Sequence, residues 1–368
     1  MVAGVVVICL SQLGAPMYAH ERITLAAVAN TIAQVKHYEF GGYYDNAHNY
    51  SGDVFFVPDD TLMLDEALRL GIRSLHDLFG VVPHPFVKTK SITHGLITSG
   101  ADRPEGWFPV FAQRVRTVVL PGYRVFSASD ARIAAARMLS RGVVRVKEAL
   151  GDGGRGQILI TTARELDKLL EKFSPDEICA YGLVLETHLR QVTTLRVGQV
   201  MVDGLTITYH GTQRTATNNE GRLVYGGSHL VCVRGGWEAL DELPMTPETR
   251  IAVGQARSYD QAVSEYPGFL ASRRNYDVAQ GVDNEGQWRS GVLEASWRSG
   301  GASTAELTAL VASVQSPGLQ VVEASAIKEF GRGRDAPRGA IVHFRGDDPE
   351  DGPIVRYTLM TRALCRAA

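Results

Sequence analysis

The chain has 368 residues, 45% hydrophobic and 21% charged, the composition of a globular protein with length enough for about two or three domains. A net charge of -2 gives no electrostatic basis for binding nucleic acid or an anionic membrane surface. Cys9, Cys179, Cys232 and Cys365 are scattered without metal-ligand spacing, so reduced thiols in a cytoplasmic protein are expected rather than a disulfide framework or a zinc site.

Val5–Leu10 is an unbroken apolar run. It lacks a basic flank and is short for a membrane span, so it reads as a buried parallel-type strand. A helix is predicted over Glu21–Gln34, a strand over Asp53–Val57, and a helix over Thr61–Leu70 that stops at Gly71. That order makes a small α/β layer. The following stretch, LFGVVPHPFVKTKSITHGL, reads as a surface loop, in which His84 and His94 are more often structural than catalytic.

Thr117–Leu120 and a PGY turn open a second unit, with a helix over Ser129–Leu139. Strands at Val143–Lys147 and Gln157–Thr161 flank a loop carrying Gly151, Gly153, Gly154, Arg155 and Gly156. Glycines let backbone N–H groups approach a phosphate closely, and Lys147 at the strand end adds a compact point charge. No GK[ST] opens a helix here, so this is not a Walker loop. Glu165–Phe173 reads as a helix and Tyr181–Glu186 as an apolar strand ending in an acid. Two further strands follow around a DG turn. The polar run GTQRTATNNEGRLVYGGSHL is expected to form loops over a site, with His210 and Arg214 as candidate substrate contacts. A helix is predicted over Pro247–Tyr266, and another over Thr304–Val314 capped by Ser303. The tail reads as an edge hairpin around DDPEDG.

Between those helices, Asn275–Asp283 and Trp288–Trp297 alternate in character around DNEG, a β-hairpin pattern. A four-residue turn, Asn284 to Gln287, opposes Asp283 to Trp288 and therefore Asp277 to Glu294. Facing carboxylates repel, and a divalent cation between them removes the conflict. Ser296 points the same way as Glu294, and Arg274 and Arg298 add charge suited to phosphate. A surface hairpin whose acids pair with those arginines is the alternative reading.

Taken together, Lys147 before a glycine-rich loop, VLETHL with Glu186, and the Asp277–Glu294 pair resemble the ATP-grasp superfamily. The resemblance spans about 115 to 309 and is nearest an uncharacterised bacterial branch related to D-alanine–D-alanine ligase and biotin carboxylase. It implies an α/β (α+β) fold with an N-terminal α/β layer (1–115), a lid (116–190), a C-terminal mixed sheet (191–330) and a hairpin extension (331–368). It further implies ATP held by Lys147, the glycine loop, Glu186 and the backbone of His188, and Mg²⁺ held by Asp277, Glu294 and Ser296. Arg298, Arg274 and Lys147 would act on the transferring phosphoryl group. The implied reaction joins a small-molecule carboxylate to an amine through an acyl phosphate, in a cytoplasmic protein, expected as a homodimer. A kinase on the same scaffold and a non-catalytic nucleotide binder are the alternatives. The chain departs from the family pattern at Ser296, where asparagine is usual, and at Thr193, where an acid often meets the ribose. An upstream lysine of the pattern is also missing, with Arg114 or Arg116 in its place.

Overall fold

The computed structural model describes residues 4–12, 16–89, 92–149 and 156–365. β1 (Gly4–Cys9) is the centre of a three-stranded parallel sheet; α1 (Ala19–Lys36) leads from it to β2 (Glu39–Tyr43) on one side, and β3 (Asp53–Pro58) flanks the other. Every residue of β1 is buried, which is why its sequence shows no alternation. α1 buries Leu25, Val28, Ala29 and Ile32 at three- and four-residue spacing and ends where His37 turns left-handed at φ 54°. β4 (Leu62–Met63), α2 (Leu64–Arg69), β5 (Val81–Val82), α3 (Pro85–Lys88) and α4 (Pro109–Val115) lead to the second unit.

That unit contains β6 (Gly122–Val125), α5 (Ala128–Leu139), β7 (Val144–Glu148), β8 (Gln157–Ile160), α6 (Ala163–Leu170), α7 (Pro175–Tyr181) and β9 (Leu183–Thr187). Its four strands run in the order β6-β9-β7-β8, all antiparallel. Strand alternation gives the sheet two different faces. Val125, Val144, Val146 and Leu185 form a core with the helices, leaving Arg145, Lys147 and Glu186 on the opposite face.

The largest sheet follows: β10 (Arg190–Val202), β11 (Leu205–Thr217), β12 (Leu223–Arg234), α8 (Trp237–Asp241), α9 (Pro247–Ser264), β13 (Arg273–Val282), β14 (Trp288–Ser296), α10 (Ser303–Gln315), β15 (Leu319–Phe330), β16 (Ile341–Asp348) and β17 (Gly352–Cys365). Eight strands are ordered β14-β13-β10-β11-β12-β15-β17-β16, and their seven pairings are antiparallel. α9 packs on one face through Ala256, Tyr259 and Val263 against Val197, Tyr276 and Val278. α10 and α1 cover the other, where Leu307 and Leu310 meet Val200, Tyr209 and Leu230. No helix among the described residues is long and apolar enough to cross a membrane.

The polar run at 211–230 is not a loop system. It is the β11–β12 hairpin, closed by an Asn218 turn in which the side-chain oxygen accepts from the N–H groups of Glu220 and Arg222. Threonines suit a pleated strand, and cross-strand pairing outweighs low hydrophobicity here. The helix over Ser303–Gln315 also starts one residue earlier than expected, with Ala302 at the cap position and the Ser303 hydroxyl accepting from the Gly300 N–H.

Candidate active site

Asp277 does oppose Glu294, by a route different from the one expected. The turn holds five residues, so Val282 rather than Asp283 faces Trp288. A β-bulge at Leu293 then takes up the offset, restoring the pairing of the two acids. The Asp283 carboxylate sits inside the turn, accepting from the N–H groups of Glu285 and Gln287 at 2.9 Å each.

A third strand completes the row. Arg196 of β10 pairs in register with Asp277, and its Nε lies 3.3 Å from Asp277 Oδ1. Burial disfavours the Arg196 charge, but Asp277, with Tyr225, Tyr209 and Glu306 adding to it, outweighs this and raises its pKa. Asn275, two residues before Asp277 and directly opposite Ser296, donates to Asp277 Oδ1 at 3.1 Å. The position departing from the family pattern therefore faces a carboxamide across the ladder. Beneath the row, Arg273 holds Glu306 of α10 through two contacts of 2.9 and 2.7 Å, and the Tyr209 hydroxyl donates to Glu306 Oε1 at 2.6 Å. Both charged side chains are 1% exposed. Arg273 also donates to the carbonyls of Ser296 and Arg298, tying the strand to the loop after Glu294.

Lys147 reaches this hairpin from the second unit. Its Nζ donates to the carbonyl of the bulged Leu293 at 2.8 Å and lies 2.9 Å from Glu186 Oε1. Glu186 is buried, with His94 Nε2 at 3.4 Å and Arg145 Nε at 4.0 Å. Burial alone would raise the Glu186 carboxyl, but Lys147 and His94 outweigh it and hold the group below its ordinary range. Burial lowers the pKa of His94, with Glu186 opposing in part. His188, between β9 and β10, accepts from Arg145 at 3.1 Å through Nδ1. Gly156 turns left-handed at φ 73°, a conformation that favours glycine. Gly151, Gly153, Gly154 and Arg155 lie outside the described residues.

Arg298 Nε lies 3.0 Å from Asp60 at the end of β3, and Lys88 reaches the same carboxylate at 3.2 Å. The N-terminal layer thus meets the loop after Glu294. Other expected residues are not brought here. Arg274 is on the opposite face of β13, bonded to Asp260 and Ser264 of α9, because adjacent strand residues alternate. The arginine on the site face is Arg273. His210 shares the α9 side with Val197, and burial lowers its pKa. Arg214 is on the same side as His210 and pairs with Glu329 at 3.4 Å. Arg114 pairs with Glu265 at the end of α9, leaving Arg116 on a separate cavity wall.

Asp277, Glu294 and Ser296 offer oxygen donors only, and all three are partly exposed rather than packed in a core. Such a set fits Mg²⁺, which binds through one or two carboxylates and completes its shell with water and substrate phosphates. No group of three acids, histidines or cysteines gathers among the described residues, so further ligands would come from the nucleotide or solvent.

The buried His94 sets a pH dependence. As pH falls, the unfolded chain takes up this proton near about 6.5, whereas the folded protein resists until its lower pKa. Stability therefore declines below that pH, by at most about 1.4 kcal/mol per pH unit from this one group. Glu186 acts at more acid pH: its stabilisation is present above about 4.3 and is lost as pH falls through its depressed folded pKa. Urea denaturation between pH 7.5 and 5.5 should show a shallower decline for His94→Gln than for the native chain. Identical slopes would mean that His94 is not buried neutral.

A family model for proteins of unknown function, DUF3182, matches residues 8–358. No curated protein matches the chain. Among solved structures, N5-carboxyaminoimidazole synthetase from Staphylococcus aureus, complexed with ADP, aligns at 12% identity and a TM-score of 0.55, covering 98% of this chain and 93% of that one. Phosphoribosylamine–glycine ligase from Thermotoga maritima aligns at 14% and 0.53, covering 96% and 91%. Biotin carboxylase from Campylobacter jejuni aligns at 11% and 0.50, covering 96% and 87%. These are ATP-grasp proteins, and at such identities the likeness is one of fold.

Proposed function

Because this chain belongs to the DUF3182 family and has the ATP-grasp fold, we propose that it is an ATP- and Mg²⁺-dependent ligase. In this reading a substrate carboxylate attacks the γ-phosphate, and an amine or related nucleophile captures the acyl phosphate. The observation that carries it is the 2.8 Å contact between Lys147 and the carbonyl of Leu293, the residue directly before Glu294. Lys147 thus reaches the strand that carries Glu294.

Lys147 has three N–H donors, and Glu186 holds one side of it. Its bond to Leu293 is exchangeable for a phosphate oxygen, which would keep the ammonium at the same height above the hairpin. Mg²⁺ held by Asp277 and Glu294 would offset charge on the phosphates. Arg196 limits repulsion between the two acids, and Arg273 with Glu306 fixes the strand that presents them. Arg298, on the loop between sheet and α10, would stabilise the transferring group. No side chain need act as a covalent nucleophile, since the substrate's own acid attacks; positioning and charge do the rest. Unpaired cysteines support a reducing, cytoplasmic setting.

Nucleotide binding tests the placement. ATP with Mg²⁺ should raise the melting temperature, adding about 2.7 kcal/mol of stability at a hundred times Kd. Lys147→Ala should remove most of the shift, and Asp277→Asn with Glu294→Gln should remove its Mg²⁺ dependence. An unchanged shift in all these variants would place the site elsewhere.

A further inference from the structure

A cavity of about 1150 Å³ opens beside α5; Lys147, Glu186, Asp277 and Glu294 are not among its lining, while His94, the neighbour of Glu186, stands at its edge. Its walls carry Arg137 and Arg141 at the end of α5, Arg103 and Arg116 from the segments flanking α4, and Arg289 from the β13–β14 hairpin. Among the described residues, two acids, Asp283 and Glu285, line it with them, and Asp283 is already engaged by Arg289 at 2.7 Å. Arg103 and Arg137 donate to neutral acceptors, the carbonyls of Ser99 and Ile97, at 3.2 Å each. Arg116 and Arg141 have no side-chain hydrogen bond or ion pair among the described residues.

Guanidinium groups gathered around one space repel unless an anion joins them, and a chain of net charge -2 has no general excess of positive charge to explain the cluster. The planar forks suit carboxylates and phosphates, and the volume suits a ligand of nucleotide size. Trp107, Tyr123 and Met138 supply an apolar wall for the body of such a molecule.

We propose that this cavity is a second small-molecule site, for an organic polyanion bearing clustered phosphate or carboxylate groups. It goes beyond the ligase reading and does not depend on it. A ligand there would bridge α5 of the lid to the tip of the hairpin whose strands carry Asp277 and Glu294. Asn284 already makes one such link, donating to the carbonyl of Val143 at 2.9 Å.

Calorimetric titration of the full chain, with EDTA and without Mg²⁺, tests this using sodium pyrophosphate in one arm and citrate in the other. At least one should bind at a saturable site, and the tighter of the two assigns phosphate or carboxylate chemistry. The double variant Arg116→Ala, Arg141→Ala removes two exposed side chains and should weaken that binding about tenfold or more. Arg116→Lys with Arg141→Lys should retain part of it, and Lys147→Ala all of it. Stabilisation by ATP with Mg²⁺ should persist in the double alanine variant, so failure here is separable from failure of the ligase reading. The proposal is overturned if neither anion binds saturably, if the double alanine variant binds as the native chain does, or if only Lys147→Ala loses binding.

Discussion

Glu306→Ala should destabilise the protein by about 3–5 kcal/mol, read as a lower urea midpoint. The Arg273–Glu306 pair is 1% exposed at both ends, so truncating the acid leaves a guanidinium stranded away from water. The Tyr209 hydroxyl loses an acceptor in the same change. Glu306→Gln should cost less, because a carboxamide oxygen still accepts from Arg273 and Tyr209. Replacing both partners by apolar residues, Arg273→Met with Glu306→Leu, should recover much of the loss, since no buried charge is then left alone. Recovery of stability should not restore activity. Arg273 also holds the carbonyls of Ser296 and Arg298, so the double variant frees the loop after Glu294. A loss below about 1 kcal/mol for Glu306→Ala would mean that solvent reaches the pair.

Lys147→Met should lower turnover by about a hundred- to a thousandfold, the scale for removing one preorganised charge from a reacting group. Part of the effect is indirect. Without Lys147, burial dominates at Glu186 and its carboxyl moves up towards protonation. Adding Glu186→Gln should relieve that penalty and recover stability while leaving turnover low. Lys147→Arg should retain stability with reduced activity, because a planar fork does not replace a compact ammonium at 2.9 Å from Glu186 and 2.8 Å from Leu293. Equal turnover in Lys147→Met and the native chain would remove this residue from the chemistry.

The carboxylate pair was legible from the hairpin pattern because strand alternation and turn chemistry are local. Even so, the expected turn was one residue short, and the bulge at Leu293 compensated for it. That bulge turns out to present the carbonyl that Lys147 contacts. The same alternation puts Arg273, not Arg274, on the face of Asp277. The run at 211–230 misleads because its threonines and glycines resemble loop composition, while its strand character comes from pairing with β10 just before it and with β15, distant in sequence. Arg196 is invisible for a similar reason: β11, β12, α8 and α9 lie between it and Asp277 along the chain. His94 sits in a segment whose local sequence says loop, and only packing against Glu186 makes it a buried partner.

The most direct test of the ligase reading is to identify the products in the presence of hydroxylamine. Full-length protein, ATP and Mg²⁺ would be screened against amino acids and small diacids, since hydroxylamine traps an acyl phosphate as a hydroxamate whatever the natural nucleophile. ATP alone should turn over slowly, because water is a poor substitute in a closed site. With the right acid, ADP and hydroxamate should appear in equal amounts, and both should vanish in Asp277→Asn with Glu294→Gln. A stable phosphorylated alcohol would indicate a kinase instead, and AMP with pyrophosphate would contradict attack at the γ-phosphate altogether.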